Sequence, residues 1–186
     1  MMIKAVGGGG GRGSRVVESA DAVAATYERC RAEAQAAFGN GDLYVEEFIQ
    51  RSRHVEVQIL GDVHGSIAHL GERECSVQRY FQKIIEVAPA PGLADDIRAG
   101  VIDAAVRLAD RVGYSNAGTF EFLVDVSATD NGKPFGEPFA FIETNARLQV
   151  EHTVTEAVTG VDIVQAQFRL AEGASIAELG LDNPQV

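Results

Sequence analysis

Between Phe141 and His152 the chain reads Phe-Ile-Glu-Thr-Asn-Ala-Arg-Leu-Gln-Val-Glu-His. Polar and charged residues hold the odd positions (Glu143, Asn145, Arg147, Gln149, Glu151), and mostly apolar ones hold the even positions (Ile142, Thr144, Ala146, Leu148, Val150). Successive side chains of an extended strand point to opposite faces. This period therefore calls for a strand with one face in a core and the other presenting two acids, two amides and an arginine. That inventory suits metal-assisted chemistry on anions. Sites of this kind leave the strand partway, so a loop is expected from near Asn145.

A sheet with such a face needs a core behind it. At 186 residues, 46% of them hydrophobic, the chain is long enough for one domain or two small ones. Sixteen basic against 27 acidic residues give a net charge of −11. This argues against general affinity for nucleic acid or an anionic membrane, while leaving room for a local phosphate site. Cys30 and Cys75 lack metal-ligand spacing and read as reduced thiols of a cytoplasmic protein. No apolar run approaches a membrane span, and Met1-Met2-Ile3-Lys4 does not open a signal peptide. Met2–Val6 reads as a buried strand that begins at once, and the segment from Gly180 as a turn that leads nowhere, so both ends are expected to be cuts inside a larger fold.

Strands are expected at Met2–Val6, Leu43–Phe48, His54–Leu60, Ser66–Leu70, Lys83–Val87 and Gly118–Val124, with turns at Asp62–Gly65 and a hairpin tip at Asp130–Lys133 before the strand that leads to Glu143. An alanine-rich helix runs to Phe38, with Ser19 as N-cap and Gly39 as its stop. A second helix follows Pro89–Gly92, with Leu93, Ile97, Val101, Ala105 and Leu108 on one face, and Val154–Ala171 reads as one long last helix. Strands come in hairpins and outnumber helices, so the class is α+β with mainly antiparallel sheets.

Five consecutive glycines lie within Gly7–Gly13. Gly8, Gly10 and Gly13 meet the spacing of a dinucleotide fingerprint, but Arg15-Val16-Val17 is extended where that motif needs a helix. No Lys-Ser or Lys-Thr follows, which excludes a P-loop. Such a loop still lets amides approach phosphate oxygens, with Lys4 as a nearby cation; it also reads as a flexible loop beside a surface lysine. Glu121 and Glu143 should face each other across a hairpin, and with Asn145 they make a hard-oxygen set for magnesium or manganese, or else a solvated strand face. Arg147 can grip a small oxyanion and Glu151 can serve as a base, or the two are an ion pair. Lys83 reads as an anion-binding cation or a surface lysine, and His54, a lone histidine at a strand start, reads first as structural.

Taken together, six blocks in order resemble the biotin carboxylases, a branch of the ATP-grasp enzymes. They are Lys4–Gly13, Arg53–Gln58, Glu72–Arg79, Gln82-Lys83 with Ala88–Pro91, Gly118–Phe122, and Glu143–His152. The resemblance implies an ATP-grasp fold, with residues 1–50 part of a lid subdomain and 51–186 the catalytic core, incomplete at both ends. It implies ATP contacts at Lys4, Gly10, Gly11, Glu46, Ile49, His54 and Gln78. It implies two magnesium or manganese ions on Glu121, Glu143 and Asn145, bicarbonate at Lys83, Arg147, Gln149 and Val150, and catalysis by Lys83, Arg147 and Glu151, the last as base. The implied reaction activates bicarbonate with ATP as carboxyphosphate and carboxylates biotin carried on a separate domain, with a carboxyltransferase domain as further partner and a homo-oligomeric parent.

The chain departs from the family's pattern at Phe81, where a polar residue near the nucleotide is common, at Glu47, where lysine is common, and at Ala146, where proline or threonine is usual. The flanking parts of the family's domain, with a further ATP-binding lysine and a biotin-facing arginine, are absent. A carbamoyl-phosphate synthetase-like ligase and a nucleotide-binding fragment without turnover are the alternatives.

Overall fold

Val55, Val57 and Ile59 on one strand, and Phe120, Phe122 and Val124 on its neighbour, are spaced two apart and wholly or almost wholly buried. They fix the larger of two sheets. The computed structural model of the chain describes residues 1–8, 13–126 and 138–182. These fall into two compact units, Met1–Gln50 with Gln78–Gln82, and Arg51–Val77 with Lys83–Val186.

In the first unit, β1 (Met2–Ala5) lies between β2 (Ser14–Val16) and β3 (Leu43–Glu46), antiparallel to both. β1 alternates rather than being buried throughout: Ile3, in a core with Val17 and Cys30, and Ala5 are buried, while Met2 and Lys4 are half-buried. Helix α1 (Val23–Phe38) follows a short 3-10 turn, Ala20–Ala22. Ser19 precedes that turn without a side-chain capping bond, so it does not cap α1 as the sequence suggested. Gly39 does end the helix, in the left-handed conformation that glycine adopts at no steric cost (φ 71°). β3 stops at Glu46, before the expected Phe48.

The second unit is a five-stranded sheet in the order β6-β5-β4-β7-β8, formed by β4 (Ser52–Gly61), β5 (Ile67–Arg79), β6 (Gln82–Val87), β7 (Asn116–Asp125) and β8 (Phe139–Asn145). β4 pairs antiparallel with β5 and β7, and β7 with β8. β5 runs far past the expected Leu70. Helix α2 (Asp95–Arg111) covers one face through Val101, Ala105 and Ala109; Ala109 lies deeper than the anticipated Leu108, and Leu93 precedes the helix.

The opposite face is divided. At one end Leu60, Leu70 and Ala117 pack under helix α4 (Ile163–Ala171) through Ile163, Ala166 and Leu170. At the other end the same face carries Glu56, Gln58, Arg73, Thr119 and Glu121, all buried. The expected single helix over 154–171 is two, because α3 (His152–Thr159) stops at Gly160 in the left-handed conformation (φ 71°). The Glu156 carboxylate then accepts from the Ile163 amide at 2.7 Å, joining the two helices.

Phe139 and Phe141 pack on Phe122, with ring centroids 5.8 and 5.7 Å away, whereas Glu121 faces Glu143. A register shift between the Glu121 and Phe122 pairings allows this. The extra residue, Ile142, turns the odd positions from the α2 face to the polar face. The strict alternation therefore ends with the strand, at Asn145. The hairpin tip expected at 130–133 lies outside the described residues.

A Cβ on Gly61 would stand 2.2 Å from the Tyr114 carbonyl oxygen, a backbone atom that cannot swing aside. Gly61→Ala is expected to destabilise the chain by about 1–3 kcal/mol, as overpacking does. Urea unfolding checks this: the midpoint should fall with the slope unchanged, and a wild-type midpoint would refute this account of the close approach.

Candidate functional site

Burying arginine is costly unless every charge and donor is met. Arg73 of β5 has no exposure at all. Its Nε donates to Glu56 Oε1 (2.6 Å) and its Nη1 to Gln58 Oε1 (3.0 Å) and Thr155 Oγ1 (2.9 Å). Its Nη2 donates to Thr119 Oγ1 at 3.3 Å. The other oxygen of the fully buried Glu56 accepts from Lys83, which also donates to Glu151 Oε1 (2.6 Å) and Glu121 Oε1 (3.1 Å). One ammonium thus stands among three carboxylates drawn from β4, β7 and the start of α3.

Glu121 is the most heavily engaged acid. Oε1 receives Lys83, Asn145 Nδ2 (2.9 Å) and Gln149 Nε2 (3.2 Å), and Oε2 lies 2.8 Å from His54 Nε2. Burial by itself would raise its pKa. The hydrogen bond and charge of His54, the charge of Lys83 and the Gln149 amide outweigh that and hold it down to about 2. Lys83 is held well above the usual lysine range: burial opposes this, but the charges of Glu56 and Glu121 and the bonds to Glu151 and Glu56 prevail. Burial likewise opposes the lowering of Glu151, which the Lys83 hydrogen bond brings about. Burial pushes the nearby Cys75 thiol upward, with Glu56 adding to it.

Glu143, half-buried, faces Glu121 across the ladder, and Asn145 Nδ2 lies 3.4 Å from its Oε1. Two facing carboxylates with a carboxamide between them fit a hard divalent ion that takes oxygen ligands. The tighter clusters His54–Glu56–Glu121 and Glu56–Cys75–Glu151 have potential ligand atoms within 4.8 Å. Both depend on Glu56, whose two oxygens are engaged by Arg73 and Lys83, so neither makes a cation cage. Gln149, 8% exposed, keeps its carboxamide oxygen buried with no hydrogen-bond partner among the described residues. An unmet buried acceptor calls for a donor.

The structure thus gathers Lys83, Glu121, Glu143, Asn145, Gln149, Glu151 and His54 at one place. Arg147 is exposed, and its Nη1 donates to the Leu148 carbonyl at 3.3 Å; no ion pair joins it to Glu151 among the described residues. Val150 is 91% exposed in the turn before α3. In the first unit Lys4 pairs with Glu46 at 3.0 Å and lies 5.6 Å from the Tyr44 ring centroid, so two residues expected to contact nucleotide contact each other. Ile49 is half-buried after β3, and Gln78 is half-buried near the end of β5. Gly10 and Gly11 lie outside the described residues. Sequence reasoning assigned no role to Glu56, Arg73 or Cys75. Glu56 and Gln58 alternate with Val55 and Val57 as a solvated face would; the usable signal was the opposite charge of Arg73 inside Glu72-Arg73-Glu74.

Comparison with known proteins bears out the resemblance to biotin carboxylases. Pyruvate carboxylase 1 of Caenorhabditis elegans is 54% identical over 186 residues, covering 100% of this chain and 15% of that protein. A Campylobacter jejuni biotin carboxylase structure superposes with a TM-score of 0.86 at 46% identity, over 94% of this chain and 37% of that one. The biotin carboxylase domain of the Hydrogenobacter thermophilus 2-oxoglutarate carboxylase, solved as a dimer with MgADP and bicarbonate, gives 0.85 at 43% identity, over 99% and 38%. The chain therefore spans about 15% of the carboxylase polypeptide and under two fifths of the carboxylase structures. Residues 1–179 match the model described as carbamoyl-phosphate synthase L chain, ATP binding domain, and the chain belongs to that family.

Proposed function

We propose that this chain is the ATP-binding and bicarbonate-activating part of a biotin-dependent carboxylase. The observation that carries the reading is Lys83, a half-buried ammonium set among Glu56, Glu121 and Glu151 beside the unmet acceptor of Gln149. Bicarbonate has what this place asks for: negative oxygens for the ammonium, and one hydroxyl that the Gln149 acceptor can orient before Glu151 removes its proton. The similar Hydrogenobacter domain was solved with that anion and MgADP.

In this reading Lys83, Arg147, Gln149 and the Val150 backbone hold bicarbonate. Lys83 keeps Glu151 ionised, and Glu151 takes the hydroxyl proton. A bicarbonate oxygen then attacks the γ-phosphorus of ATP as the bond to ADP breaks, giving carboxyphosphate. That species releases phosphate and CO2, and a ureido nitrogen of biotin on its carrier domain takes up the CO2 as its own proton passes to the released phosphate. Glu121, Glu143 and Asn145 would hold magnesium or manganese, which supplies charge neutralisation to the phosphates. Lys4, Gly10, Gly11, Glu46, Ile49, His54 and Gln78 contact the nucleotide, residues 1–50 belonging to a lid and 51–186 to the core. A carboxyltransferase domain, a homo-oligomeric assembly and a cytoplasmic setting complete the proposal. No helix among the described residues is long and apolar enough to cross a membrane.

The family description also names carbamoyl-phosphate synthase. In the longer protein carrying this chain, ATP hydrolysis should depend on bicarbonate and rise with free biotin; stimulation by ammonia instead would select the other branch. Glu151→Gln should lower that hydrolysis by about 10²–10⁴-fold, the usual worth of a positioned base, with nucleotide affinity retained in calorimetry. Unaltered hydrolysis removes Glu151 from the base role. Glu143→Ala should raise the magnesium needed for half-maximal turnover about tenfold or more, and a superimposable magnesium titration would refute the metal assignment.

A further inference from the structure

None of the roles above uses Arg73, the largest of the fully buried side chains. Its four bonds do more than neutralise Glu56. Because Nε takes Glu56 Oε1, the other oxygen of that carboxylate is the one turned to Lys83. Because Nη1 takes Thr155 Oγ1, the first turn of α3 is tied to the sheet. Thr155 lies four residues after Glu151, one helical turn away and on the same side. That bond therefore fixes the side of α3 from which Glu151 reaches Lys83.

We propose that Arg73 is a positioning residue for bicarbonate activation, holding Glu56 and Glu151 on either side of Lys83 so that the ammonium keeps one place. The inference rests on the reading of Lys83 and Glu151 given above. Lysine in place of Arg73 would match the charge but not the forked geometry that reaches Glu56, Gln58, Thr119 and Thr155 together. Thr155→Val keeps the shape of the side chain and removes the link to α3 alone.

In the longer enzyme, Arg73→Lys and Thr155→Val should each lower kcat/KM for bicarbonate about tenfold, with the KM for MgATP within about twofold of wild type. The acid limb of the pH–rate profile should move to higher pH. Among the described residues the charged and titratable groups about Glu151 include Lys83, Arg73, Glu56 and Cys75, with Glu121 on the same ammonium, and a looser Lys83 pair leaves Glu151 easier to protonate. If both variants lose thermal stability while bicarbonate kinetics and the acid limb stay put, Arg73 is structural only and the proposal falls. A second measurement needs no turnover: carbon-13 titration of the Glu151 carboxylate in the 186-residue chain should give a higher midpoint in Thr155→Val, and an unmoved midpoint also overturns the proposal. A moved midpoint in a protein without bicarbonate-dependent hydrolysis would uphold the positioning role and sink the functional reading instead.

Discussion

Arg73 cannot be buried unless the candidate site is built around it. Its guanidinium needs Glu56, Glu56 needs a second cation for its other oxygen, and Lys83 in that place brings Glu121 and Glu151 with it. Removing one member leaves a charge stranded at low dielectric, which costs far more than a surface pair is worth. Folding of the second unit and assembly of its charged cluster are therefore one event. A sheet with apolar side chains on both faces would avoid the burden but would present no ordered charges.

The sheet accommodates this by dividing its labour within single strands. On β4, Val55, Val57 and Ile59 belong to the α2 core, while Glu56 and Gln58 turn to the charged cluster and Leu60 to the α4 core. β7 does the same with Phe120 and Phe122 against Thr119 and Glu121. A one-residue slip would place carboxylates against α2 and phenylalanines around Lys83, so register here is strongly specified.

This division also decides what was legible in the sequence. The strands and the facing of Glu121 and Glu143 followed from period and hairpin spacing, whereas the end of β8 near Asn145 followed from the kind of site expected there, because the period itself runs on to Glu151. The bulge at Ile142 did not, since Phe139, Phe141 and Glu143 share a parity yet end on opposite faces. Helices α3 and α4 ran together because their apolar residues keep the helical period across Gly160. Glu56 and Arg73 escaped because what buries them comes from residues 17 and 82 positions away. Local pattern reports the polarity of a face and is silent on what will cover it.

In the proposed chemistry the same oxygens would serve two kinds of cation. Glu121 Oε1 meets Lys83, Asn145 and Gln149 at once, and a divalent ion on Glu121 and Glu143 would compete with Lys83 for that atom. The ion attracts a carboxylate oxygen more strongly than an ammonium does, because it carries twice the charge. Its arrival would therefore weaken the hold of Glu121 on Lys83 and turn the Asn145 carboxamide to present oxygen. Lys83 would keep Glu56, fixed from behind by Arg73, and have a freer hand for an anion beside Glu151. In the proposed chemistry the rear of the cluster would then keep its partners while its front exchanged them, and the buried arginine would make that separation possible.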